Sequence, residues 1–495
     1  MKSGNAKATN REHLFKLLEN ATDLIRTAVD YNVILLLLFY KAISDKWNSM
    51  VSRYKSQGYG ERDSYLLANE ELINLYDADN GKVLTWSHVV RAPETIQEMD
   101  KALLRISEIN PKLGELKTLL NRLGLTELSK GDKRGILVKL VELFNKYDFS
   151  AVDYDILGDA YQWILAKFAP TKAKEGETYT PREVIRLMVK LLDIEDGSKV
   201  LDPASGSAAM LIEAYKYVRE KLGGSSPTLK LYGQDFNEVM VAIAKMNLIL
   251  HNITADAEIY VGDSLVNPRF VKALKLDEDG GGADYVLANP PWNQDGYGED
   301  RLNRPELRKV YKYGYPPNNT ADWAWIQLML WASRKKVAVV IDQGALFRGG
   351  READIRRKVV EEDLIDAVIL LPEKLFYNTS APGVIILFDK QKPLERKGKI
   401  LFINASNEYE PHPEVRRLNR LGEGHIDKIV STYRQYKSVE GFSRVVDLKE
   451  VRNNNYNLNV TLYVQPALES IEADLEKELH DLEEITKQAR ETEAK

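Results

Sequence analysis

Four short segments of the 495-residue sequence hold the side chains best suited to chemistry: Asp202-Pro203-Ala204-Ser205-Gly206-Ser207, Gly233-Gln234-Asp235, Gly262-Asp263-Ser264-Leu265 and Asn289-Pro290-Pro291-Trp292. The first is a turn of small residues, which lets a ligand come close to the backbone. It is not the G-x-G-x-x-G loop that takes a pyrophosphate on a helix N-terminus, and the carboxylate of Asp202 would repel phosphate. An acidic turn suits a cofactor with a cationic centre and an amino-acid tail. Asp235 can accept hydrogen bonds from both hydroxyls of a ribose, or it can cap a helix. Asp263 can accept from an exocyclic amine, with Leu265 packed against the ring that carries it. In the fourth segment two prolines remove two backbone donors. The carbonyls of Asn289 and Pro290 and the amide oxygen of Asn289 are left to accept from an amino group on a planar ring. Accepting from that NH₂ draws its lone pair out of conjugation, and Trp292 follows at once to stack on the ring.

Such residues meet only if each ends a neighbouring strand of one sheet. Short apolar runs fit this: Lys199–Leu201, Leu229–Gly233, Ile259–Val261, Tyr285–Ala288, Val337–Ile341, Ala367–Leu371 and Val384–Phe388. Asp202, Asp235, Asp263 and Asn289 follow one another at 33, 28 and 26 residues, close to the roughly thirty of a βαβ unit. The spacing predicts an α/β fold with a doubly wound parallel sheet, its ligands at the carboxyl ends of the strands. Residues 9–168 read as helical. Leu14, Leu17, Leu18, Ala21, Leu24, Ile25 and Ala28 recur at steps of three and four, and 94–109, 112–123 and 134–146 repeat the pattern. A helical domain over 1–168, an α/β domain over 169–463 and a terminal helix over 464–495 are expected. Leu468, Ile471, Leu475, Leu479, Leu482 and Ile485 give that helix a seam for a partner or for its own domain.

Composition narrows the choice. Lys plus Arg is 69 and Asp plus Glu is 74, a net charge of −5, which argues against a broad basic face that grips nucleic acid unaided. There is no cysteine, hence no disulfide, thiolate metal site or cysteine nucleophile. The six histidines lack metal-ligand spacing. The N-terminus is polar and the longest apolar run, Val33–Tyr40, is too short for a membrane span of about 20 residues. A cytoplasmic protein with no bound metal is expected.

DPASGS, GQD, GDSL and NPPW, in that order, resemble the motifs of the amino-methylating DNA methyltransferases, and NPPW points to adenine N6. Glu177-Thr178-Tyr179-Thr180-Pro181-Arg182 looks like the segment that closes over the cofactor in that family. Tyr313-Gly314-Tyr315-Pro316-Pro317, Ala321-Asp322-Trp323-Ala324, Ala345-Leu346-Phe347-Arg348-Gly349-Gly350, Leu370–Tyr377 and Asn455-Tyr456-Asn457-Leu458-Asn459 extend the likeness over roughly residues 10–465. Together they are similar to the modification subunit of type I restriction-modification systems. One departure is Ala208-Ala209, where the family usually has glycine.

The resemblance implies a Rossmann-like methyltransferase sheet that transfers a methyl group from S-adenosylmethionine to adenine N6 in double-stranded DNA, the base being flipped out. It assigns the acceptor site to Asn289, Pro290, Pro291 and Trp292. The cofactor falls to Tyr179, Thr180, Pro181, Asp202, Ala204, Ser205, Gly206, Ser207, Asp235, Asp263, Ser264 and Leu265. The implied partners are a specificity subunit, a second modification subunit and, optionally, an ATP-dependent restriction subunit. Two basic clusters could face DNA: Arg301–Lys312, interleaved with Tyr297, Tyr311, Tyr313 and Tyr315 and expected to order only on DNA, and Arg348–Arg357, which follows another strand. The alternatives are a standalone adenine methyltransferase, a protein-glutamine methyltransferase, and a scaffold without chemistry. A nicotinamide-dependent dehydrogenase lacks its glycine fingerprint.

Overall fold

The structure, a computed structural model, describes residues 7–8, 10–25, 28–174, 179–254 and 256–465. Its centre is a nine-stranded sheet: β1 Lys199–Asp202, β2 Lys230–Asp235, β3 Ala257–Val261, β4 Ala283–Ala288, β5 Ser333–Asp342, β6 Ile365–Leu370, β7 Gly383–Asp389, β8 Lys399–Asn404 and β9 Ser443–Asp447. The strand order is β9-β8-β6-β7-β5-β4-β1-β2-β3. The switch point lies at β1, between β4 and β2, where the sequence motifs require a ligand.

β4, β6 and β7 are buried along their whole length, as strands covered on both faces must be. Alternate residues feed two cores. Leu201, Val286, Val339 and Ile386 join one, with helices α7 (Asp322–Ala332) and α8 (Arg351–Glu361). Val200, Leu231, Leu287 and Val340 join the other, with α4 (Arg182–Leu192), α5 (Ala209–Lys221) and α9 (Glu423–Gln435).

The N-terminal region is helical as expected, with α1 (Arg11–Ile25), α2 (Asn32–Ser56), α3 (Tyr154–Lys174) and helices over Thr95–Ile109, Leu116–Leu123 and Arg134–Phe144. It shares a core with α6 (Glu238–Leu250). Val241, Ala244 and Leu248 of α6 face the sheet, while Val239, Ala242, Ile243 and Met246 join the N-terminal cluster. A helix apolar all round is what burial between two layers demands. α3 runs unbroken through residue 168.

The sheet departs from the expected all-parallel form. β7 runs antiparallel to both β5 and β6, and β9 antiparallel to β8. The link from β6 to β7 holds no helix, and without a crossover of a dozen or more residues carrying one, a strand returns antiparallel to its predecessor. β9 and α9 lie in residues 405–465, whose mixed, polar texture hides them in the sequence, while β8 is an apolar run (Ile400-Leu401-Phe402-Ile403) absent from the expected strands. Segment 301–315, expected to order only on DNA, is folded against the core, with Leu307, Tyr311 and Tyr313 buried. The expected terminal helix lies outside the described residues. Among the described residues no helix is long and apolar enough to cross a membrane.

Candidate active site

A cavity of about 590 Å³ opens at the carboxyl ends of β1 to β4. That size is ordinary for a small-molecule site. Of the residues singled out in the sequence, Tyr179, Thr180, Asp202, Ala204, Ser205, Gly206, Ser207, Asp235, Asp263, Ser264, Asn289 and Pro291 line it.

The turn after β1 is bolted down from three sides. The Ser205 N–H donates to the Gln234 carbonyl (3.0 Å), the Gly206 N–H to Asp235 Oδ2 (2.9 Å) and Ser264 Oγ to the Pro203 carbonyl (2.6 Å). Asn247 of α6, fully buried, donates to the Ser207 carbonyl at 2.9 Å. β2 can come this close only because residue 233 is glycine: a Cβ there would stand 2.7 Å from Ile259 and 3.0 Å from Ser205. Gly206 (φ 48°) and Ala208 (φ 63°) both hold left-handed backbone. Position 208 therefore carries an alanine in a conformation that costs L-residues about 1–2 kcal/mol.

The acids differ in setting. Asp202 is 2% exposed, and among the described residues its carboxylate accepts one hydrogen bond, from the Ala204 N–H (3.0 Å). Burial pushes its carboxyl up to about 8, with the nearby Asp235 adding to the effect. Burial also raises Asp235, against donation from the backbone N–H groups of Gly206 and Asn237. Asp263 accepts from the Leu265 N–H (3.1 Å), the Tyr297 hydroxyl (2.9 Å) and Arg301 (2.8 Å). Arg301, read in the sequence as DNA-facing, thus neutralises an acid in the cavity wall and sits 4.2 Å over the Tyr297 ring.

At the end of β4, Asn289 donates through Nδ2 to Thr180 Oγ1 and accepts at Oδ1 from Trp292 Nε1, both at 2.8 Å. These two bonds set the amide orientation and leave Oδ1 a second lone pair. They also join the acceptor turn to the segment before α4.

Four expected residues do not line the cavity. Pro290 is buried behind the turn, and Pro181 precedes α4, accepting from the Val184 and Ile185 N–H groups. Leu265 is fully buried among Phe270, Leu274 and Val286, so it cannot pack against a ligand ring; its backbone bond to Asp263 turns the side chain into the core. Trp292 meets Phe376 edge to face at 4.8 Å, and Tyr377 meets Tyr179 likewise at 5.6 Å. Phe376 and Tyr377 end the Leu370–Tyr377 motif, which by itself assigns them no role. Phe236 escapes the sequence reading altogether. It is 76% exposed on the cavity wall directly after Asp235. Tyr31, stacked on Phe168 at 4.9 Å, and Trp325 also line the cavity; nothing in the local pattern marks them.

A sequence profile of the N-6 DNA methylase family matches residues 152–472. The chain belongs to the N-6 DNA methylase family. Within it, the chain is 54% identical over 493 residues to the type I restriction enzyme MjaVII methylase subunit of Methanocaldococcus jannaschii, covering 98% of this chain and 84% of that one. It is 50% identical to the MjaVIII methylase subunit of the same organism, over 96% of this chain and 82% of that one. The fold matches the methyltransferase subunit of a type I restriction-modification system from Streptococcus thermophilus at a TM-score of 0.73, with 24% identity, covering 92% of this chain and all of that one. Asn289 and Asp202 line the same cavity.

Proposed function

We propose that the chain is the modification subunit of a type I restriction-modification complex and methylates adenine N6 in double-stranded DNA. The observation that carries this reading is the wiring of Asn289. Its amide is locked by Thr180 and Trp292 at the mouth of a cavity walled by Asp202, Asp235 and Asp263. S-adenosylmethionine fits that donor set: its ammonium group suits Asp202, its ribose Asp235, and its adenine Asp263 and the bare ring of Phe236. The buried Ser205 Oγ, which has no partner among the described residues, supplies a further polar contact.

S-adenosylmethionine supplies the methyl group when bound. The chain's own residues orient the acceptor. Adenine N6 lies inside the duplex, so the base must leave the stack to reach Asn289. Asn289 Oδ1 accepts from the amine and holds its lone pair toward the cavity. Alignment of this kind is the main source of rate in a direct transfer. No covalent enzyme intermediate is required, in keeping with a chain that has no cysteine.

Exposed Arg304, Arg308 and Lys309, which have no carboxylate partner among the described residues, stand on the segment that follows the acceptor turn and suit DNA phosphates. Residues 464–495 are assigned to binding a specificity subunit that reads the target, with two modification subunits and optionally a restriction subunit completing the assembly. The N-terminal helices through α3, whose end at Lys174 moves the boundary past residue 168, and the sheet-bearing residues that follow up to 463 are the helical and catalytic domains of a cytoplasmic enzyme. The test is methyl transfer from labelled S-adenosylmethionine to unmethylated genomic DNA by the chain co-purified with its specificity subunit. Label in N6-methyladenine is expected. Label in protein glutamine, or in DNA with the chain alone, would overturn the reading in favour of the glutamine or the standalone enzyme.

A further inference from the structure

Directly after Trp292 the chain turns at Asn293, in left-handed backbone (φ 52°). Both polar ends of Asn293 are gripped. Its N–H donates to Asp322 Oδ1 (2.9 Å), and its Oδ1 accepts from Arg348 Nη1 (2.9 Å). Arg348 also donates to Asp342 Oδ1 (2.9 Å), Glu352 Oε2 (2.6 Å) and Thr320 Oγ1 (3.3 Å), and is ion-paired with Asp322. Asp322 and Glu352 are 0% and 1% exposed. A planar guanidinium with donors on all three nitrogens can serve this many partners at fixed angles; an ammonium cannot.

The backbone from which Arg348 springs is held in turn. Arg356, buried, donates to the carbonyls of Ala345 (3.3 Å), Arg348 (2.9 Å) and Tyr456 (2.8 Å). The Leu458 N–H donates to the Leu346 carbonyl (3.0 Å). Three motifs that the cofactor and acceptor sites leave unexplained thus meet here: Ala321–Ala324, Ala345–Gly350 and Asn455–Asn459.

We propose that Arg348 is the positioning residue of the acceptor turn, fixing Asn293 and through it the placement of Trp292 and Asn289. The inference rests on the assignment of Asn289 as the amine acceptor. A purely structural role, neutralising three acids, is the competing explanation. The two differ at Asn293, whose side chain can be removed without touching the acids.

Asn293→Gly deletes the bond to Arg348 and suits left-handed backbone. Asn293→Asp keeps an acceptor for Arg348 and tolerates that backbone. Arg348→Lys keeps the charge and loses the fork. Each is co-purified with the specificity subunit. The readouts are kcat and KM on unmethylated genomic DNA, S-adenosylmethionine binding by calorimetry, and thermal unfolding. In Asn293→Gly and Arg348→Lys, kcat is expected to fall about tenfold or more, as sub-ångström misplacement produces. Cofactor affinity should stay within about twofold, Asn293→Gly should melt no lower than the parent, and Asn293→Asp should recover most of the kcat. Undiminished kcat in Asn293→Gly overturns the proposal, as does a loss of kcat matched by equal losses in cofactor affinity and melting temperature. A parent complex that binds cofactor but methylates no DNA overturns the assignment of Asn289, and this inference with it.

Discussion

If Asp202 holds the cofactor's ammonium group as proposed, its depth makes cofactor binding a titration. Its carboxyl is pushed up to about 8 by burial, with the charge of Asp235 adding to the effect and the Ala204 N–H opposing it. A carboxyl at 8 is only about one-tenth ionised at pH 7, yet the ionised form is the one that suits an ammonium. An α-amino group has a pKa of about 7.8 and must stay protonated. The product of the two fractions rises about 20-fold from pH 6 to pH 8 and falls about fourfold by pH 9. Calorimetry of S-adenosylmethionine binding in two buffers of different ionisation heat should therefore show affinity peaking near pH 8. A net release of about 0.8 proton per bound cofactor is expected at pH 7, the loss from Asp202 less the uptake by the amino group. In Asp202→Asn the acid limb should vanish, and affinity at pH 8 should drop by about 1.5–3 kcal/mol, the size of a charged hydrogen bond. The same group tilts the stability of the cofactor-free protein. Its folded pKa lies above the ordinary 3.8, so its stabilising contribution is complete below about pH 4 and is lost as pH rises through about 8. The slope is up to about 1.36 kcal/mol per pH unit, and Asp202→Asn should remove it. Affinity flat from pH 6 to 8, or an acid limb surviving in Asp202→Asn, would refute the reasoning.

Three further outcomes are expected. Ala208→Gly relieves left-handed strain at a buried helix start and should be neutral or stabilising by up to about 1 kcal/mol in denaturant unfolding; a clear destabilisation would show that the methyl group's packing outweighs the strain. Gly233→Ala drives a Cβ against Ile259 and Ser205; it should cost about 1–3 kcal/mol and weaken cofactor binding, seen by melting and calorimetry. Replacing Arg304, Arg308 and Lys309 by Ala should weaken DNA binding whatever the sequence. The slope of log affinity against log salt should fall by about 0.9 for each phosphate no longer neutralised, with cofactor affinity unchanged.

Much of the site is readable in the sequence because the βαβ repeat places strand ends side by side, so acids about thirty residues apart become neighbours. Asp202, Asp235, Asp263 and Asn289 can be grouped on spacing alone. What escapes has physical causes. An apolar residue after a strand end looks the same whether it faces ligand or core, so Leu265 reads as a wall residue and Phe236 draws no notice. A cation near a basic cluster does not show its partner, so Arg301 gives no sign of Asp263. Tyr31 reaches the cavity from far upstream of Asp202, through packing that no local pattern encodes. The antiparallel β7 follows from a missing crossover helix, and an apolar run alone does not state strand direction.

The most direct measurement is base modification in a living cell. The chain and its specificity subunit would be expressed together in a host devoid of adenine methylation, and its genome sequenced with single-molecule detection of modified bases. N6-methyladenine is predicted at every copy of one recurring target, and none when Asn289 is replaced by Ala or the specificity subunit is omitted. An unmodified genome despite both proteins being present and able to bind S-adenosylmethionine, or methylation that survives Asn289→Ala, would contradict the assignment of Asn289 as the amine acceptor of a modification subunit.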